Sequence, residues 1–166
     1  HGKNEISFKL EDLYLKINDR SFMQVNNSMM IKTYNKIKSY IDNESVIDCY
    51  SGIGSIGFHL GDKATKVTMI ENNLENINMA NSLKGHYKGK ISIIHGDAKK
   101  MLPAYDADVL VIDPPRTGLH ESMIPVILKK KFSKIVYLSC ELNTLIRDLK
   151  LLEDVYELVE VTPVRM

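Results

Sequence analysis

Cys140 closes the run Tyr137-Leu138-Ser139-Cys140, where an apolar stretch gives way to a helical pattern opening near Leu142-Asn143-Thr144. The partial positive charge at a helix N-terminus favours a thiolate and lowers its pKa toward working pH, which makes Cys140 a candidate nucleophile. A lone cysteine is otherwise most often a buried structural residue. Cys49, inside or at the end of its own apolar run, suits that role. With two cysteines in all, the chain offers neither a disulfide framework nor a four-ligand zinc site, and no metal is expected.

Carboxylates and glycines follow other apolar runs. In Asp48-Cys49-Tyr50-Ser51-Gly52-Ile53-Gly54-Ser55-Ile56-Gly57 an apolar segment runs into a glycine-rich turn and then a helical pattern. Glycines at 52, 54 and 57 permit a tight turn, close approach of a ligand to the backbone, and close helix–strand packing. By itself the turn suits a dinucleotide as well as S-adenosylmethionine. Glu71 ends the next apolar run, where a carboxylate can accept hydrogen bonds from both ribose hydroxyls of a nucleoside; its structural alternative is an acidic residue at the helix start after Asn72-Asn73. Asp97, in His95-Gly96-Asp97-Ala98, stands where a side chain can meet an adenine, although Gly-Asp is also an ordinary turn pair.

Asp113-Pro114-Pro115-Arg116-Thr117-Gly118 comes after a wholly apolar run. Two prolines fix φ and remove two backbone donors, leaving a rigid rim suited to positioning a substrate. Amine methyltransferases put an aromatic residue after such prolines to stack on the target base. Arg116 is instead a planar donor fitted to carbonyl or phosphate oxygens, which argues against an exocyclic amine as target.

These residues need a scaffold that brings them to one place. The spacing predicts one or two short strands over 6–17, then a helix carrying Met29, Met30, Tyr34, Ile37 and Ile41 with Asn27 or Ser28 as its cap. From there strands are expected at 45–50, 66–70, 91–95, 108–112, 134–138 and 155–161, and helices at 56–60, 74–83, 120–130 and 143–152. Short apolar strands alternating with helices imply right-handed crossovers and a mostly parallel sheet covered on both faces, a Rossmann-like doubly wound α/β fold. Ligands in such sheets bind beyond the carboxyl ends of the strands, where every motif above falls. Residues 1–20 read as a strand segment leading into one domain over 21–166.

Together, Phe22-Met23-Gln24-Val25-Asn26, the glycine turn, Asp113 to Gly118, and Tyr137 to Cys140 followed by Thr144 and Arg147-Asp148 resemble the RNA (uracil-5-)-methyltransferases of ribosomal and transfer RNA. The resemblance implies an S-adenosylmethionine-dependent methyltransferase fold and transfer of a methyl group to uracil C5, giving 5-methyluridine in ribosomal RNA or transfer RNA. It implies that Cys140 adds to uracil C6, that Arg116 and Asp113 grip the pyrimidine and cofactor edges, and that Gln24, Tyr50, Ser55, Glu71, Asp97 and Asp113 line the cofactor site beside Gly52 and Gly54. The family's general base is a glutamate beyond the last strand. Glu157 and Glu160 do not match its position, so a C-terminally shortened domain without its last strand is expected, turning over weakly or not at all. The family's N-terminal RNA-binding barrel is likewise expected to be missing. A sheet without its last strand exposes an edge that invites self-association.

A formal net charge of +1 does not describe a strongly basic nucleic-acid binder, so RNA affinity must be local. Lys99-Lys100, Lys129-Lys130-Lys131 and Lys84, His86, Lys88 and Lys90 are candidates, although lysines at helix ends are commonly solvated caps. DNA is not an expected partner. No apolar run approaches the ~20 residues that span a bilayer and no signal-peptide pattern opens the chain, so a cytoplasmic protein without membrane association is expected. A methyltransferase for cytosine C5 or an exocyclic amine, a nicotinamide-dependent dehydrogenase, and a cofactor- or RNA-binding protein without catalysis are the competing readings. The dehydrogenase shares the glycine turn and Glu71 but leaves the thiol and the proline rim without a role.

Overall fold

Val109-Leu110-Val111-Ile112 presents apolar side chains to both faces of any sheet it joins, and such a strand is stable only where both faces are covered. The computed structural model describes residues 5–10, 13–18, 27–85 and 90–164 and puts this segment in that setting. The motif Phe22 to Asn26, including Gln24, and the residues His86 and Lys88 lie outside the described residues.

In chain order the elements are β1 (Glu5–Leu10), β2 (Leu13–Asn18), α1 (Asn27–Ser39), β3 (Ser45–Cys49), α2 (Ser55–Leu60), β4 (Lys66–Glu71), α3 (Leu74–Lys84), β5 (Ile91–His95), α4 (Ala98–Met101) with a following 3-10 turn, β6 (Val109–Ile112), α5 (Met123–Lys130), β7 (Lys134–Tyr137) and α6 (Leu142–Leu152). Strands β1 and β2 form an antiparallel pair of their own, in register from Glu5↔Asn18 to Leu10↔Leu13. The other five make a wholly parallel sheet in the order β5-β4-β3-β6-β7. The chain steps outward from β3 to β5 and then crosses back to lay β6 on the other side of β3, so the order reverses between β3 and β6.

Alternate residues of each strand feed two cores. Val46, Val67, Met69, Val109 and Val111 meet Met30, Tyr34, Ile37 and Ile41 of the α1 segment together with residues of α2 and α3. Ile47, Cys49, Ile70, Leu110 and Ile112 meet Leu102, Met123, Ile124, Ile127 and Leu152 on the opposite face. Each fully buried aliphatic side chain contributes about 1.5–3 kcal/mol, and this two-sided burial holds the sheet between its helical layers. The doubly wound α/β arrangement expected from the alternating pattern is the one observed.

Two expected elements differ. Residues 155–161 form no strand: the described segment after α6 has no regular secondary structure, and Leu158, Val159 and Val161 are exposed. An alternating apolar pattern makes a strand only where a neighbour accepts its backbone, and no described strand pairs with β7 on its outer side. The helix expected over 120–130 starts later, at Met123. His120 accounts for the delay, because its Nδ1 accepts the Ser122 N–H at 3.2 Å and holds residues 120–122 in a turn.

Gly57 is where α2 meets β4. A Cβ there would stand 2.3 Å from Met69 Sδ and 3.0 Å from Asp48 Oδ2. Gly57→Ala should therefore lower stability by about 1–3 kcal/mol through overpacking, read as a lower urea midpoint at unchanged slope; an unchanged midpoint would contradict the packing described.

Candidate active site

The end of β3 is pulled into an unusual path. Tyr50 takes a left-handed φ of 62°, followed by Gly52 at 57° and Gly54 at 88°. A tyrosine in that region is strained, and such strain concentrates where structure serves a site. The turn is held by Ser51 N–H to Ile70 O at 3.1 Å and Gly54 N–H to Ser51 O at 2.8 Å. Gly52 has open space where a Cβ would stand, so its backbone conformation is what requires glycine. At Gly54 both reasons apply, since a Cβ would meet the Phe58 ring at 2.7 Å.

Glu71 connects this turn to the next strand end. Its Oε2 accepts the Gly52 N–H at 2.8 Å and its Oε1 accepts the Asn73 N–H at 2.6 Å. The cap of α3 is Asn73, whose side chain accepts from Glu75 and Asn76 N–H, so Glu71 is not the capping residue. A carboxylate has about four acceptor positions, and two remain for a ligand. Asp97, at the end of β5, caps the short helix α4 by accepting the Lys99 N–H at 3.1 Å. A cavity of about 420 Å³ lies between Tyr50 and Asp97 on one wall and Pro115, Gly118, Leu119 and His120 on the other.

Two acids lie deeper at the junction of β3 and β6. Asp48 is wholly buried, and among the described residues no donor reaches full hydrogen-bond geometry at either carboxyl oxygen, the Gly57 amide lying close by. Burial above all, and then the charge of Asp113, pushes its pKa up to about 8, with the Gly57 amide opposing the shift. Asp113 follows β6, whose pairing with β3 its N–H extends to Cys49 O at 3.4 Å, and burial pushes its pKa up to about 6. The Tyr34 hydroxyl faces the same place: burial first and Asp113 second raise its pKa, while the Ser55 hydroxyl opposes them. Such acids, held above their ordinary range in a crevice, mark a place built for a cation or a proton.

Cys140 is exposed and follows β7 at the same carboxyl edge. Glu141 caps α6 immediately after it, and the Ser139 hydroxyl accepts the Glu141 N–H at 3.1 Å, shaping the turn that carries the thiol. Arg116 is also exposed, and its carbonyl accepts the Thr144 hydroxyl of α6 at 3.1 Å. Cys49 is buried in the sheet core, with its thiol pKa raised by burial, which fits a structural cysteine.

The carboxyl edge of the sheet thus gathers Tyr50, Gly52, Gly54, Ser55, Glu71, Asp97, Asp113, Arg116 and Cys140. Sequence reasoning missed the roles of Asp48 and Tyr34. An aspartate inside Val46-Ile47-Asp48-Cys49, where both neighbours are apolar, was the available signal for the first. Tyr34 stands at helical spacing among core residues, and no pattern in the sequence distinguishes it from them.

Residues 97–162 match the model of a family described as tRNA (Uracil-5-)-methyltransferase. An uncharacterized RNA methyltransferase of Oceanobacillus iheyensis is 39% identical over 177 residues, covering 99% of this chain and 38% of the relative. One from Mycoplasma mobile is 41% identical over 140 residues, covering 82% of this chain and 39% of the relative. Among solved structures, the Pyrococcus abyssi tRNA (uracil-54, C5)-methyltransferase in complex with S-adenosyl-L-homocysteine superposes with a TM-score of 0.82 at 28% identity, over 92% of this chain and 39% of that one. The chain spans about two fifths of the length of the relatives it matches.

The raised acid at position 48 has a measurable consequence. A carboxyl that binds its proton more tightly in the folded chain contributes most below its ordinary value of 3.8, and that contribution is lost as pH rises toward about 8. The ligand-free chain should lose stability from about pH 5 to about pH 8, and Asp48→Asn should lose less over this window. Thermal melts at both pH values check this; an equal decline in the variant would contradict the assignment.

Proposed function

The chain belongs to the RNA (uracil-5-)-methyltransferase family, and on that premise we propose that it carries the catalytic domain of an enzyme that methylates uridine C5 in structured RNA, with S-adenosylmethionine as cofactor. The observation that carries the proposal is the meeting, at one sheet edge, of a crevice lined by Tyr50 and Asp97 and an exposed thiol.

The residues fit the cofactor. Asp48 is a buried carboxyl without a full hydrogen bond among the described residues, next to a second raised acid, and S-adenosylmethionine brings two cations, an ammonium and a sulfonium. Tyr50, Gly52, Gly54 and Ser55 would hold its methionine side, Glu71 its ribose hydroxyls and Asp97 its adenine, with Gln24 and Asp113 completing the set. When bound, the cofactor supplies an electrophilic methyl group.

Uracil C5 is too weak a nucleophile to take that methyl unaided, and Cys140 overcomes this by covalent catalysis. Its thiolate adds to C6, forming a carbon–sulfur bond, and the displaced electron pair runs through C5 to the C4 carbonyl as an enolate. Arg116, a planar donor on the rim, stabilises the negative oxygen. Asp113, with its pKa near neutrality, exchanges a hydrogen bond with the pyrimidine edge. After methylation, loss of the C5 proton returns the electron pair and expels the thiolate. Glu160 does not take that proton: it binds Lys36 and the Tyr40 hydroxyl, which hold its pKa down at about 2, beside the residues that lead into β3 and so at the opposite edge of the sheet.

Ribosomal RNA is the proposed substrate. Transfer RNA is the second reading, favoured by the name of the matched family and by the activity of the Pyrococcus abyssi enzyme. The lysines near the site, Lys99 and Lys100, support phosphate contacts. Among the described strands none pairs with the outer side of β7, which supports self-association. A cytoplasmic location is part of the proposal, supported by the RNA-modifying family; among the described residues no helix is long and apolar enough to cross a membrane.

In a full-length version of the protein, Cys140→Ala should reduce methyl transfer to uridine RNA by roughly 10³-fold or more while S-adenosylhomocysteine affinity stays within about twofold. Radiolabelled methyl transfer and calorimetry check both halves. Normal transfer by the variant would remove the covalent mechanism.

A further inference from the structure

Asp148, in the middle of α6, is fully buried, and each of its oxygens takes two donors. Oδ2 accepts the Leu119 N–H at 2.7 Å and the Tyr137 hydroxyl at 2.7 Å. Oδ1 accepts Arg147 Nε at 2.9 Å and Nη2 at 2.6 Å. The same Nη2 reaches Thr117 O at 3.0 Å and Leu119 O at 3.2 Å. Thr144, one turn earlier, donates to Arg116 O. Three residues of one helix thus hold the backbone of residues 116, 117 and 119.

Gly118 lets the loop come this close. It takes a φ of 74°, and a Cβ there would stand 2.6 Å from both Arg147 Nη2 and Asp148 Oδ2. The loop so held carries Asp113 and Arg116. Tyr137 is the last residue of β7, three positions before Cys140. One carboxylate therefore bonds both to the rim and to the strand end that delivers the thiol, and does so beyond the last backbone bond between the two strands, from Leu138 N–H to Ile112 O at 2.8 Å.

We propose that Asp148 is a positioning residue for methyl transfer: with Arg147 and Thr144 it sets the distance between the rim bearing Asp113 and Arg116 and the turn bearing Cys140. The inference rests on the uridine C5 reading for its catalytic consequence. Nucleophilic addition and enolate stabilisation act on the two ends of one small ring, and a misplacement of about 1 Å can cost about 100-fold in rate. Most of the proposed cofactor contacts come from the ends of β3 to β5, with Asp113 the one carried by the rim, so cofactor binding is affected less than turnover. A buried carboxylate accepting four hydrogen bonds cannot be replaced by an amide without leaving a donor facing a donor.

The test has two arms. Nitroxide labels on Cys140 and on Thr117→Cys, both exposed while Cys49 is buried, report the rim-to-thiol distance by pulsed electron spin resonance. In the otherwise unaltered chain the distribution should be narrow and single; with Asp148→Asn it should broaden. Separately, with Cys140 unlabelled, Asp148→Asn should lower kcat for uridine methylation by about 10- to 100-fold, with KM for S-adenosylmethionine within about twofold. Should Asp148→Asn fail to fold, Thr144→Val and Tyr137→Phe each remove one bond of the clamp, and their partial broadening and slowing are read in its place. An unchanged distance distribution in folded variants overturns the inference, as does a broadened distribution with unchanged kcat. The kcat arm is run in a full-length version of the protein, because the chain spans only about two fifths of the length of its relatives; if that version transfers no methyl group to uridine RNA, the outcome counts against the uridine C5 reading, and the distance arm alone decides whether the clamp exists.

Discussion

Strand β3 is hydrogen-bonded to β4 on one side and to β6 on the other, and from Val46 to Cys49 both its faces are buried. A strand enclosed on four sides can change direction only at its ends. Because the strand order reverses between β3 and β6, the connections from these two strands depart in opposite senses, and the crevice between them is left open by topology. The features that bear on chemistry descend from this constraint. The glycine turn is the exit of β3, the proline rim is the exit of β6, and Glu71, Asp97 and Cys140 stand at the exits of the flanking strands.

The same constraint explains an electrostatic cost. Asp48 lies where β3 is most enclosed, and a buried polar group without a partner costs about 1–3 kcal/mol. A core built for stability alone would place an apolar residue there, as it does at Val46 and Ile47. Retaining a carboxyl next to Asp113 favours a ligand that brings positive charge. The clamp around Asp148 is the opposite case, a buried carboxylate whose four bonds are all satisfied within the chain. One acid has no full hydrogen bond among the described residues; the other is held by four.

Much of this was legible in the sequence because it rests on local patterns. The apolar runs ending at Cys49, Glu71, His95, Ile112 and Tyr137 announce the strands of the parallel sheet, and glycine and proline punctuation marks their exits. Residues 155–161 carried an equally good alternating pattern and formed no strand, since pairing depends on a neighbour that no local pattern encodes. The helix start at Met123 depended on a side-chain bond from His120 to Ser122. Tyr50, Glu71 and Asp97 could be named because they stand at strand ends. Asp48 was hidden because an acid in an apolar run reveals nothing about its partners, and the bonds joining Asp148 to Leu119 and Tyr137 span 29 and 11 positions of sequence.

The central claim is that the crevice between β3 and β6 is built for S-adenosylmethionine and not for a dinucleotide, although the glycine turn permits both. Calorimetric titration of the chain with S-adenosylhomocysteine, with NAD as the control ligand, tests it most directly, since neither RNA nor turnover is required. The account predicts saturable one-site binding of S-adenosylhomocysteine and no heat with NAD. Binding of NAD with none of S-adenosylhomocysteine would contradict it.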